Sequence, residues 1–267
     1  MPHTAAHPAA VIPLQRLLGR RCVGSALVIG SMAPDFVYYL PLGLERAASH
    51  SLEGLLLVVL PLGLAAQALF HGLLRRPLED LLPAPQRARL ASAPQVPATL
   101  RPGYVLLVTL SLLLGGATHL LWDACTHRGG FVVQQFAPLG QSLWVVGDYD
   151  IRGYKVLQHG STLVGLTCLA LCVRAWFRRS PPASEASEDS DPPARARRRW
   201  IVVLLVALAA LAAGLPAGFG APDKDGWLQH LQYFAGPALR TGTSAAVLTL
   251  LAYCLVWHAA HRRTRQP

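Results

Sequence analysis

The stretch from Thr118 to His127, THLLWDACTH, holds the densest chemistry in the chain, with His119, Asp123 and His127 at intervals of four. On an α-helix turning about 100° per residue, three such positions fall within an arc of about 80° on one face. An imidazole and a carboxylate one turn apart can share a divalent ion, because both are good ligands for zinc-like metals. The helical rise separates the first and third positions by about 12 Å, so one ion cannot take both from an ideal helix. Either Gly129-Gly130 ends the helix early and His127 folds back, or two ions are held. A lone histidine in an apolar helix is more often a hydrogen-bonded packing residue than a ligand. Ionisable groups inside an apolar segment are nevertheless expensive, and they mark function by default.

The element that carries this motif is one of five apolar runs: Leu52–Phe70, Tyr104–Trp122, about Gly160–Phe177, Trp200–Phe219 and about Ala238–Trp257. Each reaches the roughly 17–25 residues that span a bilayer. Of the 267 residues 52% are hydrophobic and only 14% charged, against about 25% charged in soluble domains. This excludes a soluble globular domain and predicts an all-α, polytopic membrane bundle. The formal charge of +10 does not point to nucleic acid, since no basic patch is interleaved with aromatics. The Arg residues flank the apolar runs instead: Arg75 and Arg76, Arg87 to Arg101, Arg174 to Arg179, Arg195 to Arg199, and Arg262 to Arg265 all fall on one side if five helices alternate. By the positive-inside rule that side is the cytoplasm, and the C-terminus lies there. The five Cys form no CxxC pair and no disulfide framework.

The first 50 residues lack the charged start of a cleaved signal peptide and are expected to stay in the mature protein. Pro8 suits the first turn of a helix running to about Leu18, Gly19-Arg20-Arg21 suits a turn, and a second short helix fits Gly24 to Ser31. Neither is long enough to span, so they read as a re-entrant or interfacial helical hairpin that returns His7 and Asp35 to one face. His50 begins the first span and His159 the third, both at the external end. Seven candidate metal ligands then converge on that face: His7, Asp35, His50, His119, Asp123, His127 and His159. Random placement would scatter histidines to both faces. His71, His258 and His261 fall on the cytoplasmic side and carry no expected chemistry, and His230 is a weak candidate in the last external loop. Glu53 is expected to cap or pair locally, Asp148 and Asp150 to be solvated loop carboxylates, and Arg128 to meet an anionic substrate or a lipid head group. The Pro-, Ser- and acid-rich stretch after Arg179 reads as a disordered cytoplasmic linker. It divides residues 1–179, the unit with the candidate metal site, from a C-terminal helix pair over 200–267, the linker taking 180–199.

The segments HPAAVIPL, GSMAPDF, SHSLEGLLLVVLPLGL, FHGLLRRPLEDLLP and GGATHLLWDACTHRGGF together resemble domain-of-unknown-function family 4184, strongly over residues 1–179 and loosely beyond. That family comprises bacterial membrane proteins. Its pattern is also distantly similar to the membrane-bound metal-dependent hydrolases and to the zinc-dependent phospholipase C fold. The latter resemblance implies ligands in the order His, Asp, His, His-x3-Asp, His, His-x3-Glu. His7, Asp35, His50, His119-x3-Asp123, His127 and His159 stand in that order, with Leu163 where the last Glu belongs. The departure favours one or two ions over a full trinuclear cluster.

The expected function is therefore a metal-dependent hydrolase of the bacterial cytoplasmic membrane, with an outward-facing site at head-group level and a zinc-like divalent cofactor. Asp35 is expected to combine ligation with general-base work, and Asp123 to bridge. A phosphoester, free or lipid, is the substrate that fold analogy implies, and membrane lipids are the expected partners. The rival is a non-catalytic membrane protein with a structural metal or polar cluster, which would hold metal but show no open coordination position. A transporter fits less well, because transporters place ligands near the midplane and often show inverted repeats.

Overall fold

The computed structural model describes residues 3–40, 43–91, 101–147, 149–181, 191–222 and 226–263. Five helices are long and apolar enough to cross a membrane: Leu52–Asp80, Pro102–Gln135, Gly153–Arg179, Pro193–Phe219 and Trp227–Arg262. They contain the five apolar runs and are numbered first to fifth span in chain order. The chain is a helical membrane bundle. Its only strands among the described residues are a small antiparallel hairpin, β1 (Ser142–Val146) with β2 (Tyr149–Arg152), that the apolar pattern did not foreshadow. The first span is not uniformly α-helical, since Leu55–Val59 and Phe70–Leu74 are π-helical turns. Such turns reset the angular phase of the helical residues beyond them.

The N-terminal hairpin forms as its sequence suggests. Helix α1 (Pro8–Leu18) starts on Pro8, and Gly19 at φ +51° turns the chain into α2 (Gly24–Met32). Ser111 Oγ accepts from Val23 N at 2.9 Å, which satisfies one of the orphan N–H groups at the start of α2. Next comes a 3-10 turn over Ala33–Tyr38, then the single-turn helix α3 (Arg46–Ser49).

Two compact units emerge. The first comprises Met1–Gln67, Ala98–Val173 and Asp225–Gln229. In it α2 lies against the helix Pro102–Thr126 of the second span, backbone to backbone. A Cβ on Gly30 would run into the Leu112 carbonyl, and one on Gly115 into the Leu27 carbonyl. Small residues permit this approach, which is the usual way helices gain dispersion contact where lipid removes the hydrophobic drive. Ala26, Val108 and Leu112 form one buried cluster, and Ala33, Leu55 and Val59 another. The third span meets the N-terminal turn, where Thr162 Oγ1 accepts from His3 N at 3.3 Å and Gly165 leaves room for Ala6.

The second unit comprises Ala68–Pro97, Arg174–Lys224 and His230–Pro267. The fourth and fifth spans pack through Gly214 against Ala238, Gly242 against Ala210 and Gly218 against the Phe234 ring. Asp80 accepts from Arg198 Nη2 at 2.5 Å and from Trp257 Nε1 at 2.8 Å, with Arg195 at 3.4 Å.

The fourth span begins at Pro193, so residues 193–199 are helical rather than linker as expected. Asp191 is pinned as well, by Arg87 at 2.9 Å and Arg199 at 3.1 Å. Proline favours the first turn of a helix, and Arg195, Arg198 and Arg199 tie the start of this one to Asp80 and Asp191. Residues 182–190, the centre of the expected linker, lie outside the described residues.

Candidate metal centre

The second span's helix ends at Thr126, and its last two turns present His119 (fully buried) and Asp123 (5% exposed) to the interior of the first unit. His127 leaves the helix with extended backbone at φ −121°, ψ 144°. That is the early ending which Gly129-Gly130 suggested. A Cβ on Gly130 would strike the Ala124 carbonyl, so the chain can double back only with glycine there. His127 Nδ1 consequently lies 3.3 Å from Asp123 Oδ1.

The other groups arrive from the hairpin and from α3. His7 immediately precedes α1 and stacks on His119, with ring centroids 3.7 Å apart and planes 16° from parallel. Asp35 sits in the turn that follows α2, and His50 immediately follows α3. His50 Nε2 is 3.4 Å from Asp35 Oδ1 and 3.4 Å from Asp123 Oδ2. His119 Nε2 is 3.6 Å from each of the same two oxygens. His7 Nε2 faces the other Asp123 oxygen, Oδ1, at 3.8 Å. These separations exceed the usual 2.7–3.2 Å of a hydrogen bond. They suit atoms sharing an ion, since bonds of about 2.0–2.2 Å put tetrahedral neighbours about 3.3–3.6 Å apart. Two triplets have ligand atoms within 4.8 Å of one another: His7, His119 and Asp123, and Asp35, His50 and His119. These buried groups could hold a metal ion.

The surroundings fix which nitrogens are free. His119 Nδ1 lies 2.8 Å from the Ser31 carbonyl, which can only accept, so Nδ1 carries the proton and Nε2 keeps its lone pair. His50 Nδ1 lies 2.9 Å from Ser49 Oγ and 3.2 Å from the Arg46 carbonyl, again leaving Nε2 turned inward. Thr4 Oγ1 donates to Asp35 Oδ2 at 2.6 Å and meets Tyr39 Oη at 3.0 Å. Such outer contacts orient ligands at metal sites. Burial, and then neighbouring His119, push the His7 imidazole down to about 3, so it stays neutral. Burial pushes the Asp35 carboxyl up, but the surrounding His50, His119 and Thr4 hold it below its ordinary value. Desolvation pushes the Tyr38 phenol up to about 12, so it remains a proton donor.

Six of the seven expected ligands thus meet or line one cluster, and His159 does not. The third span's helix begins at Gly153, seven residues ahead of the apolar run, so His159 lies in its second turn and is exposed. Tyr154, Gln158 and Gly165 hold the inward face. His159 is one residue, about 100°, past Gln158, and Leu163, one turn on, is 70% exposed on the same outward side. Asp150 pairs with Arg152 at 2.6 Å outside the cluster, and Asp148 is outside the described residues. Glu53 is exposed, the local cap being Ser51 Oγ, which accepts from Gly54 N at 2.9 Å. Arg128 is exposed, and His230 belongs to the second unit.

Sequence reasoning passed over Arg46. It lies one helical turn before His50, and its Nη2 reaches Asp123 Oδ2 at 2.5 Å. The R-x3-H spacing in front of a candidate ligand was the available signal.

The chain is thus a polytopic helical membrane protein with a buried His/Asp cluster that could hold a metal ion. The chain belongs to the DUF4184 family, a domain of unknown function whose model matches residues 1–257 and so takes in most of the C-terminal helix pair as well. No curated protein and no solved structure matches it.

Proposed function

We propose that the chain is a metal-dependent hydrolase of the bacterial cytoplasmic membrane, with its site facing outward at head-group level. One observation carries the metal reading. Seven buried side-chain atoms without a hydrogen-bond partner crowd the cluster: both ring nitrogens of His7, Asp35 Oδ1, the Nε2 atoms of His50, His119 and His127, and Asp123 Oδ1. A buried polar atom left unpaired costs about 1–3 kcal/mol. Concentrating that cost in one place is expected where a cation completes the set.

His119 Nε2 has one lone pair, so the two triplets compete for it. One ion would be held by His119 with Asp35 and His50 or with Asp123, and a second by His7, His127 and Asp123. Imidazole with carboxylate oxygen suits zinc among the common divalent ions. Each triplet has three ligands, the number that leaves a catalytic position open. A divalent ion bound there supplies Lewis acidity and acidified water at neutral pH. Asp35, its Oδ2 fixed by Thr4 and its Oδ1 turned to the imidazoles, is the proposed general base.

The outward orientation is supported by the Arg distribution, since the cluster sits at the ends of the first two spans opposite the Arg-rich ends. A second reading, a structural cluster without metal, draws support from the Arg46–Asp123 ion pair, which neutralises one of the two carboxylates by itself. Metal analysis of the detergent-purified protein decides between them. We expect one or two divalent ions per wild-type chain and near loss in His119→Ala. A folded wild type that takes up no divalent ion even on loading would leave the structural reading standing.

A further inference from the structure

We infer that Arg46 and Tyr38 form an anion-receiving wall of the His/Asp cluster, and that the group they receive is a phosphoryl group; this rests on the metal reading above.

The charge of the cluster is the first ground. With neutral imidazoles, Asp35, Asp123 and Arg46 leave one net negative charge, and a single divalent ion reverses it to one positive. A loaded site therefore attracts an anion. The second ground is the unused donors. Arg46 spends Nη2 on Asp123 Oδ2, while its Nε is buried without a partner. Its side chain is 40% exposed, so the guanidinium reaches from the buried carboxylate to the open side of the site. Guanidinium presents its donors as a planar fork suited to phosphate and carboxylate oxygens. Tyr38 Oη is buried against the Arg46 side chain with its own proton left to donate, and its ring lies 6.2 Å from that of His50. A buried phenol normally finds a hydrogen bond. Both residues lie outside the five spans.

The third ground selects the class of anion. An ion, a guanidinium and a phenol offer three sets of contacts to one ligand. A carboxylate has two oxygens to divide among them, whereas a terminal phosphoryl group has three. The phosphoryl group can come from a water-soluble ester or from a lipid. An apolar cleft of about 420 Å³ beside the cluster, lined by Leu121, Trp122, Cys125 and Leu157, makes the lipid worth a separate arm. The Trp122 ring in that cleft sits edge-on to His7 at 6.0 Å.

The test uses the full chain in detergent, loaded with zinc, with bound metal per chain measured for every sample. Inorganic phosphate is titrated calorimetrically into wild type, Arg46→Gln, Arg46→Lys and Tyr38→Phe. We expect phosphate binding in the loaded wild type that disappears on chelation. Arg46→Gln should weaken it about ten- to a hundredfold and Tyr38→Phe several-fold, with Arg46→Lys in between and metal content unchanged throughout. Competition then compares glycerol phosphate with dioctanoyl phosphatidic acid. A tighter hold on the lipid assigns the lipid source, and equal competition assigns the soluble one. Phosphate affinity unchanged in metal-replete Arg46→Gln overturns the inference while leaving the metal reading intact. Metal lost from Arg46→Gln alone also overturns it, by making Arg46 a structural partner of Asp123. A wild type without metal defeats both, and is recognised by its metal content before any phosphate is added.

Discussion

His7 and His159 looked equivalent as letters in a row, and their environments separate them. His7 is buried with both ring nitrogens unpartnered, and it stacks on the residue at the centre of the cluster. His159 is exposed on the far side of Gln158. Their alanine variants should therefore diverge. His7→Ala is expected to lower metal affinity by at least about tenfold, the loss typical of even an outer-shell partner. His159→Ala should retain wild-type metal content. Metal retained in His7→Ala and lost in His159→Ala would reverse the assignment, and elemental analysis of the two purified variants reads the result.

At the scale of elements, the cluster depends on how closely α2 approaches the second span. The Ser31 carbonyl that fixes the His119 tautomer is carried by α2, and Gly30 and Gly115 set the distance between the two backbones. Gly115→Val should push them apart at a cost of about 1–3 kcal/mol. The variant should melt earlier in detergent and also bind metal less tightly, because the imidazole loses its orienting acceptor. Metal affinity unchanged in a destabilised variant would show that the tautomer is held by other means. The second unit supplies the contrast. Asp80→Ala removes the acceptor shared by Arg198 and Trp257. The pair is partly exposed, so the loss should be only about 1–2 kcal/mol. Its thermal midpoint should fall while metal content stays at the wild-type level.

For the whole molecule, five spans and one-sided arginines imply a fixed orientation. In a cysteine-free background, a thiol probe added outside intact cells should label Gln141→Cys and spare Ser187→Cys. Labelling of Ser187→Cys from outside would place the cluster on the cytoplasmic side and remove the outward-facing site from the proposal.

Much of this was legible in the chain itself. Long apolar runs demand spanning helices, because lipid offers backbone groups no other partner. Pro8, Gly19 and the shortness of the two N-terminal helices were enough to propose a hairpin, since those signals act within a few residues. Seven candidate ligands could be named from the chain, as ionisable residues are rare near apolar spans, and the structure brings six of them together and leaves His159 out. What local signals could not reach was phase and closure. Whether His159 faces inward depends on where its helix begins, and each residue of shift rotates it by about 100°. His127 joins because the helix stops at Thr126, which Gly129-Gly130 allowed without requiring. Arg46 reaches Asp123 across 77 positions of sequence. The free nitrogens of His50 and His119 are set by the Arg46 and Ser31 carbonyls, and backbone carbonyls are the same in every sequence. Such contacts exist only once the hairpin, α3 and the second span are packed together, which is why the tertiary structure alone decided them.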